Sequence, residues 1–251
     1  MFHVRPQVVE RSATDTCAAC SARPFSVCSA IDDKDMARLA AAAQTITVPA
    51  GRCFIEEGDS AEHFFNVTGG TAKLFKLLPD GRRQITGFAG VGHFLGLAVS
   101  ATYAFGAEAV EPMRICRFAR PRLRALLEDF PALEHRLLKV ASNELVVAQE
   151  QMLLLGRKTA RERLASFLVA RAEAQALLPA FCAYGGGHAS IVWLPMTRID
   201  IADYLGLTIE TVSRTFTRLR ADKLIETPTP SEVVIRNHAG LERLATGSDQ
   251  G

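Results

Sequence analysis

The chain has 251 residues, 48% of them hydrophobic and 22% charged, with a formal net charge of only +2. This is an ordinary globular composition that can bury one large or two modest cores; it excludes a polybasic nucleic-acid coat, so any contact with nucleic acid must rest on local charge. The opening residues carry no apolar signal segment and no apolar run reaches spanning length, which predicts a cytoplasmic protein with no membrane partner.

The segment 1–32 is loop-like and weakly periodic, and it carries Cys17, Cys20 and Cys28 in a C-x2-C-x7-C spacing. Between Thr45 and Phe118 short apolar runs such as Phe64–Val67 and Ala72–Leu77 alternate with glycine-containing turns. That pattern predicts a small β-barrel or sandwich over 33–120, with Asp80-Gly81 turning a hairpin. Cys116 lies in the last apolar run, Met113–Phe118.

After Pro121 the period changes. Leu138, Ala141, Leu145, Ala148, Met152 and Leu155 follow a 3-4-3-4-3 spacing with no Gly or Pro before Gly156, which predicts a long helix within 121–158 and a two-in-seven seam for a second copy of the chain. Burying Leu138, Leu145, Met152 and Leu155 is worth roughly 10 kcal/mol gross, at about 1.5–3 kcal/mol each. Association costs about 4–15 kcal/mol, so the balance between monomer and homodimer is close enough for a signal to move it.

The last segment, 159–251, opens with a helix predicted over Ala160–Gln175, with Arg161, Glu162 and Arg163 outward and Leu164, Phe167 and Leu168 inward. A Gly185-Gly186-Gly187 loop follows. Thr197 with Asp200 can cap a short helix ending at Leu205, Gly206 supplies a left-handed turn, and Thr208 can cap a second helix. Helix, glycine turn and helix, followed by a hairpin over Thr227–Val234, predict a winged helix-turn-helix. In the second helix Ile209, Val212, Phe216 and Leu219 form the packing face. Glu210, Ser213, Arg214, Thr217 and Arg218 form the opposite face, with side chains able to read base edges of double-stranded DNA, while Arg218, Arg220 and Lys223 extend the charge toward phosphates.

The run Ile209-Glu210-Thr211-Val212-Ser213-Arg214 resembles the recognition helix of the Crp/Fnr superfamily of bacterial regulators, and the order of parts is similar over nearly the whole chain. The resemblance implies an α+β fold: an N-terminal β-roll (a cyclic-nucleotide-binding-like jelly roll), a long dimerisation helix and a C-terminal winged helix-turn-helix. Glu210, Ser213 and Arg214 are similar to the Fnr branch, whose sites are of the type TTGATNNNNATCAA. A cyclic-nucleotide pocket in this family needs an Arg-Ser pair; the run Gly92–Leu97 and the later Phe105-Gly106-Ala107 carry none, so no cyclic nucleotide is expected. The hairpin at Asp80, Gly81, Arg82 and Arg83 resembles the one that Fnr-type activators present to RNA polymerase.

Four cysteines, Cys17, Cys20, Cys28 and Cys116, suit either a [4Fe–4S] cluster or tetrahedral zinc, and spacing alone does not separate these or exclude no metal at all. The resemblance favours iron–sulfur, because oxygen-sensing members have three N-terminal cysteines and one central one. It implies control of genes of low-oxygen metabolism, with loss of the cluster relaxing the N-terminal segment and the dimer seam. One departure is Ala148, which stands where the Fnr type has an acidic seam residue. Cys53 reads as a core residue and Cys182 as a surface or linker thiol. No catalytic triad, P-loop or paired carboxylates occur, and Cys17/Cys20 lack the strand-helix-strand context of a thiol–disulfide enzyme, so no enzymatic activity is expected.

Overall fold

The computed structural model describes residues 17, 19–97, 101–177 and 190–248. They belong to two compact units, Met1–Val147 and Ala148–Gly251.

The N-terminal unit is built on eight strands: β1 (Ala43–Val48), β2 (Cys53–Ile55), β3 (His63–Gly69), β4 (Ala72–Leu77), β5 (Arg83–Ala89), β6 (Phe94–Leu95), β7 (Gly106–Ala109) and β8 (Met113–Ala119). They form two four-stranded antiparallel sheets, ordered β1-β8-β3-β6 and β2-β7-β4-β5. Strand side chains alternate between faces, and the first sheet buries both. Phe65 and Val67 of β3 and Met113 and Ile115 of β8 enter a core that also holds Ile55, Ala72, Ala89 and Ala107. The alternate residues, Phe64 and Phe118, enter a second core made with Val27, Ile31, Leu39, Leu123 and Leu133.

The second core needs helical cover. It comes from α1 (Met36–Ala42), α2 (Arg120–Asp129) and the start of α3 (Pro131–Arg157). The single helix expected over 121–158 is therefore two. Phe130 breaks it at φ −127, ψ 83, as the residue before a proline is driven out of helical conformation. Between Val140 and Gln151 α3 has no cover: every residue from Ala141 to Glu150 is exposed. Leu138, Leu145 and Met152 are 64, 62 and 72% exposed, joined by Val146, Val147 and Leu153. This apolar face is broader than a two-in-seven stripe. Leu155 departs from the seam expectation, since it is half-buried and its Cδ2 approaches Gly206.

The C-terminal unit contains α4 (Ala160–Ala176), β9 (Ser190–Trp193), α5 (Arg198–Leu205), α6 (Ile209–Ala221), β10 (Ile225–Thr229), β11 (Glu232–Ile235) and α7 (His238–Thr246). A capping box of Thr159 and Glu162 starts α4. Leu164, Phe167 and Leu168 are buried as expected. Arg163 is not outward. It donates to the carbonyls of Leu155 at 2.8 Å, Lys158 at 2.9 Å and Leu205 at 2.8 Å, satisfying carbonyls at the ends of two helices. Gln175 clamps β9 through both amide atoms, to Trp193 O at 2.6 Å and from Trp193 N at 2.8 Å. No helix of the described residues is long and apolar enough to cross a membrane.

Removing Arg163 strands three acceptors. Arg163→Ala is expected to destabilise the C-terminal unit by about 2–3 kcal/mol, read as a lowered calorimetric transition. Arg163→Lys is expected to recover little, because an ammonium cannot reproduce the planar fork.

Candidate functional site

Two arrangements stand out, one in each unit. In the C-terminal unit the Thr197 hydroxyl accepts from Asp200 N and the Asp200 carboxylate accepts from Thr197 N, closing a capping box on α5. Gly206 ends that helix at φ 61, ψ 42, a left-handed conformation that costs glycine nothing. Thr208 accepts from Thr211 N and starts α6. Val212, Thr215, Phe216 and Leu219 are buried. Ile209 is not part of that packing face; it is 38% exposed at the tip of the helix.

Glu210, Ser213, Arg214, Thr217 and Arg218 are all exposed along one face of α6. Hydrogen bonds from its own backbone amide and the Thr208 hydroxyl, with Arg214 nearby, hold the Glu210 carboxyl below the usual carboxylate range, so it presents an acceptor. Thr217 is committed locally: its hydroxyl donates to Ser213 O at 3.1 Å and accepts from Arg220 at 3.0 Å. Arg218 leans to Asp222 at 3.8 Å. Arg198, which sequence pattern did not single out, places its Cζ over the Phe216 ring, 3.7 Å from the centroid. The β10–β11 hairpin pairs with β9 in a three-stranded sheet and forms the wing.

In the N-terminal unit the described part of the cysteine segment is more ordered than its sequence suggests. Two 3-10 turns, Arg23–Phe25 and Val27–Ala30, are pinned by fully buried Ala22, Val27 and Ile31. The Ser26 hydroxyl accepts from Cys28 N, and Arg23 donates to Ile31 O at 2.8 Å. Phe25 O rests where a Cβ on Gly92 would stand 2.8 Å away, and Gly92 has φ +91. No side chain fits at that turn without displacing the cysteine segment.

These contacts bring Cys17 and Cys28 against the core that contains Cys116. Cys116 sits on β8 between Thr45 of β1 and Asn66 of β3. Thr45 Oγ1 is 3.9 Å from Cys116 Sγ, and Asn66 Nδ2 donates to Cys28 Sγ at 3.9 Å. Burial pushes the Cys28 thiol up to about 11, and the neighbouring Cys17 and Cys20 push the same way. Burial pushes Cys116 up to about 12, reinforced by Cys28, Cys17 and Cys20. Cys17 is raised by burial and by Cys20. Cys116 thus senses the charge of all three N-terminal cysteines, and Cys28 that of Cys17 and Cys20. Among the described residues, though, no three His, Cys, Asp or Glu side chains are gathered tightly enough to hold a single ion.

Cys53 is half-buried and its thiol donates to Ile55 O at 3.0 Å. Cys182 lies outside the described residues. The β4–β5 hairpin exposes Asp80, Gly81 and Arg82, with Arg83 half-buried over the Phe75 ring. Asp80 accepts from the Arg82 amide at 3.0 Å and from its Nε at 2.8 Å, and Gly81 has φ +85. Leu77 and Leu78 beside this tip are exposed.

A jelly roll, a helical segment and a winged helix-turn-helix define a transcription regulator with a roll of the cyclic-nucleotide-binding type. Family models agree: residues 45–130 match the cyclic nucleotide-binding domain and residues 162–244 the Crp-like helix-turn-helix domain. Nitrogen fixation regulation protein FixK of Bradyrhizobium diazoefficiens is 41% identical over 81% of this chain and 83% of its own length. Transcriptional activator protein FnrL of Cereibacter sphaeroides is 34% identical over 100% of this chain and 98% of its own. The structure of FixK2 from Bradyrhizobium japonicum superposes with a TM-score of 0.72 at 33% identity, covering 80% of this chain and 96% of that one. The chain belongs to the Crp/Fnr family, and these relatives are regulators of its Fnr/FixK branch.

The raised thiols have a direct chemical consequence, since the thiolate is the nucleophile. Displacement from 9.0 to about 11 and about 12 lowers the thiolate fraction by ~100-fold and ~1000-fold. In the folded, metal-free protein near neutral pH, Cys28 and Cys116 are expected to alkylate slower by those factors than in urea. Their rates should keep rising with pH beyond 9. Peptide mass mapping of iodoacetamide labelling checks both.

Proposed function

We propose that this protein is a homodimeric, oxygen-responsive transcription activator that holds a [4Fe–4S] cluster on Cys17, Cys20, Cys28 and Cys116 and binds TTGATNNNNATCAA-like DNA to control genes of low-oxygen metabolism. The observation that carries the reading is that Cys17 and Cys28 pack against the core that holds Cys116, a residue far away in sequence, with Cys20 close enough for its charge to be felt at Cys116.

The donor set suits the group. A cluster spreads four thiolates over four irons, so they stand farther apart than the four ligands of one tetrahedral ion. Cys17, Cys28 and Cys116 share one core without a tight single-ion grouping among the described residues, which favours the former. Bound there, the cluster would supply an oxygen-labile tie between the N-terminal segment and β8. The protein's own part is to bury Cys28 and Cys116, to keep solvent away, and to anchor the segment through Val27 and Ile31 on the core that also receives Leu133 and Leu137 of α3. The tie is thereby coupled to the helix whose exposed apolar face would be covered by a second copy. Ala148 on that face supplies no charge repulsion, so release from the dimer depends on the N-terminal segment.

Two-fold pairing would set two copies of α6 about one helical turn apart on DNA. Arg214 can fork onto guanine, Glu210 can accept from cytosine, and Ser213 adds a tolerant contact. Arg220 and Lys223 reach phosphates. The hairpin with exposed Asp80, Gly81 and Arg82 and half-buried Arg83 is the polymerase contact, with Leu77 and Leu78 as its apolar rim. Cyclic nucleotides are not ligands, because the Arg-Ser pair is missing from the described parts of the roll. The chain has no enzymatic activity and acts in the cytoplasm. The FixK relatives favour a second reading, the same DNA-binding activator without a cluster or stapled by zinc.

Anaerobic purification with visible spectroscopy and iron, sulfide and zinc analysis separates the two. A broad visible absorption with about four irons and four sulfides per chain, bleached by air, is expected; a colourless zinc-bound or metal-free protein overturns the cluster. The DNA claim is tested separately by Arg214→Ala, expected to cost about 1–3 kcal/mol per half-site and to relax the guanine preference in competition binding. A loss equal across all sequences would reassign Arg214 to phosphate.

A further inference from the structure

One buried polar side chain beside the thiols is unexplained by the fold. Thr45, Cys116, Asn66 and Phe94 lie in a single row across adjacent strands β1, β8, β3 and β6. Asn66 is 1% exposed on the face it shares with Phe64, where an apolar side chain would be the ordinary occupant. Its Nδ2 donates to Cys28 Sγ at 3.9 Å, while its Oδ1 has no hydrogen-bond partner. Among the described residues it is the one buried side-chain oxygen left so. A half-satisfied amide in an apolar layer is a standing cost of folding, retained here at a position one strand from Cys116.

We propose that Asn66 is a positioning residue for the Cys28 ligand: its amide N–H donates to the sulfur and sets both the lifetime in air and the reduction potential of the cluster. This inference rests on the cluster reading above. The direction of the amide follows from the chemistry of the acceptor. Turned over, Asn66 would aim Oδ1 at Cys28, which only a protonated thiol can satisfy. A ligating thiolate has no proton to give, so it selects the N–H. With a neutral thiol the contact is weak; with a thiolate it becomes charge-assisted. Thr45 offers Cys116 the corresponding contact from the other flank of β8. Two of the four sulfurs therefore receive polar support from neighbouring strands, the kind of outer partner that tunes ligands and shifts iron–sulfur potentials.

The test uses the full chain, purified and handled anaerobically, as wild type, Asn66→Leu and Asn66→Ser. Leu keeps the volume and removes the donor; Ser keeps a shorter donor. Asn66→Leu is expected to fold with an unchanged or higher metal-free Tm, to load iron and sulfide, and then to bleach several-fold faster in air-saturated buffer. Its midpoint potential should lie below the wild type's, with Asn66→Ser intermediate. Wild-type resonance Raman should show an iron–thiolate stretch that shifts in D2O by more than it does in Asn66→Leu. If Asn66→Leu folds poorly, Asn66→Ser against wild type carries the comparison of bleaching rate and midpoint potential instead. Equal bleaching rates and potentials, or a D2O-insensitive stretch, would make Asn66 a packing residue and overturn the inference while leaving the cluster intact. A colourless wild type overturns the cluster reading first, and this inference with it.

Discussion

The N-terminal unit depends on β8 being buried on both faces. Its even and odd positions face different cores: Met113 and Ile115 close the jelly roll, while Phe118 and Cys116 belong to the outer layer with the helices and the cysteine segment. A one-residue slip would exchange these sets, putting a thiol into the roll and a methionine against the N-terminal turns. The position of Cys116 relative to the other thiols is therefore a by-product of strand register, held by two flanking strands. The same outer layer takes Leu133 and Leu137, so the cysteine segment and the first turns of α3 share one core. That core keeps Cys28 and Cys116 as neutral thiols until something replaces their protons.

The C-terminal unit solves a different problem, which is to hold a short helix rigidly enough to present five side chains in a fixed array. Capping boxes begin α4 and α5, a hydroxyl cap begins α6, and a left-handed glycine sets the angle between α5 and α6. Arg163 then ties the carbonyl ends of α3 and α5 to the start of α4. The geometry of the exposed α6 face, proposed to read DNA, is thereby fixed by backbone hydrogen bonds, leaving Glu210, Ser213 and Arg214 free of any packing duty.

Much of this was legible in the residues themselves. Thr197, Gly206 and Thr208 are local signals, each with a short-range reason, and they mark α5 and α6 correctly. The Gly-punctuated strands were readable for the same reason. Other features escaped because their causes are long-range. Arg163 reads as a surface charge on helical period, yet its partners lie on other elements. Asn66 in Phe-Phe-Asn-Val reads as an interruption of a strand, and only cross-strand register gives it a neighbour. Val27 and Ile31 are too sparse to register as a periodic signal, although each is fully buried. Ile209 satisfies the packing spacing but stands one turn before the helix meets its support. Pro131 is a local signal too: it drives Phe130 out of helical conformation and splits the single helix that the apolar spacing predicts.

The register of β8 also imposes a schedule on synthesis. Cys116 follows Cys28 by 88 residues, and it can join the others only after β1, β3 and β8 have paired. At bacterial-type rates of ~5–20 residues per second, Cys28 is made roughly 4–18 s before Cys116. Three reactive sulfurs thus wait in an unfolded segment, able to meet oxidants, stray metals or each other, and their safekeeping during that interval is a task for the cell rather than for the fold.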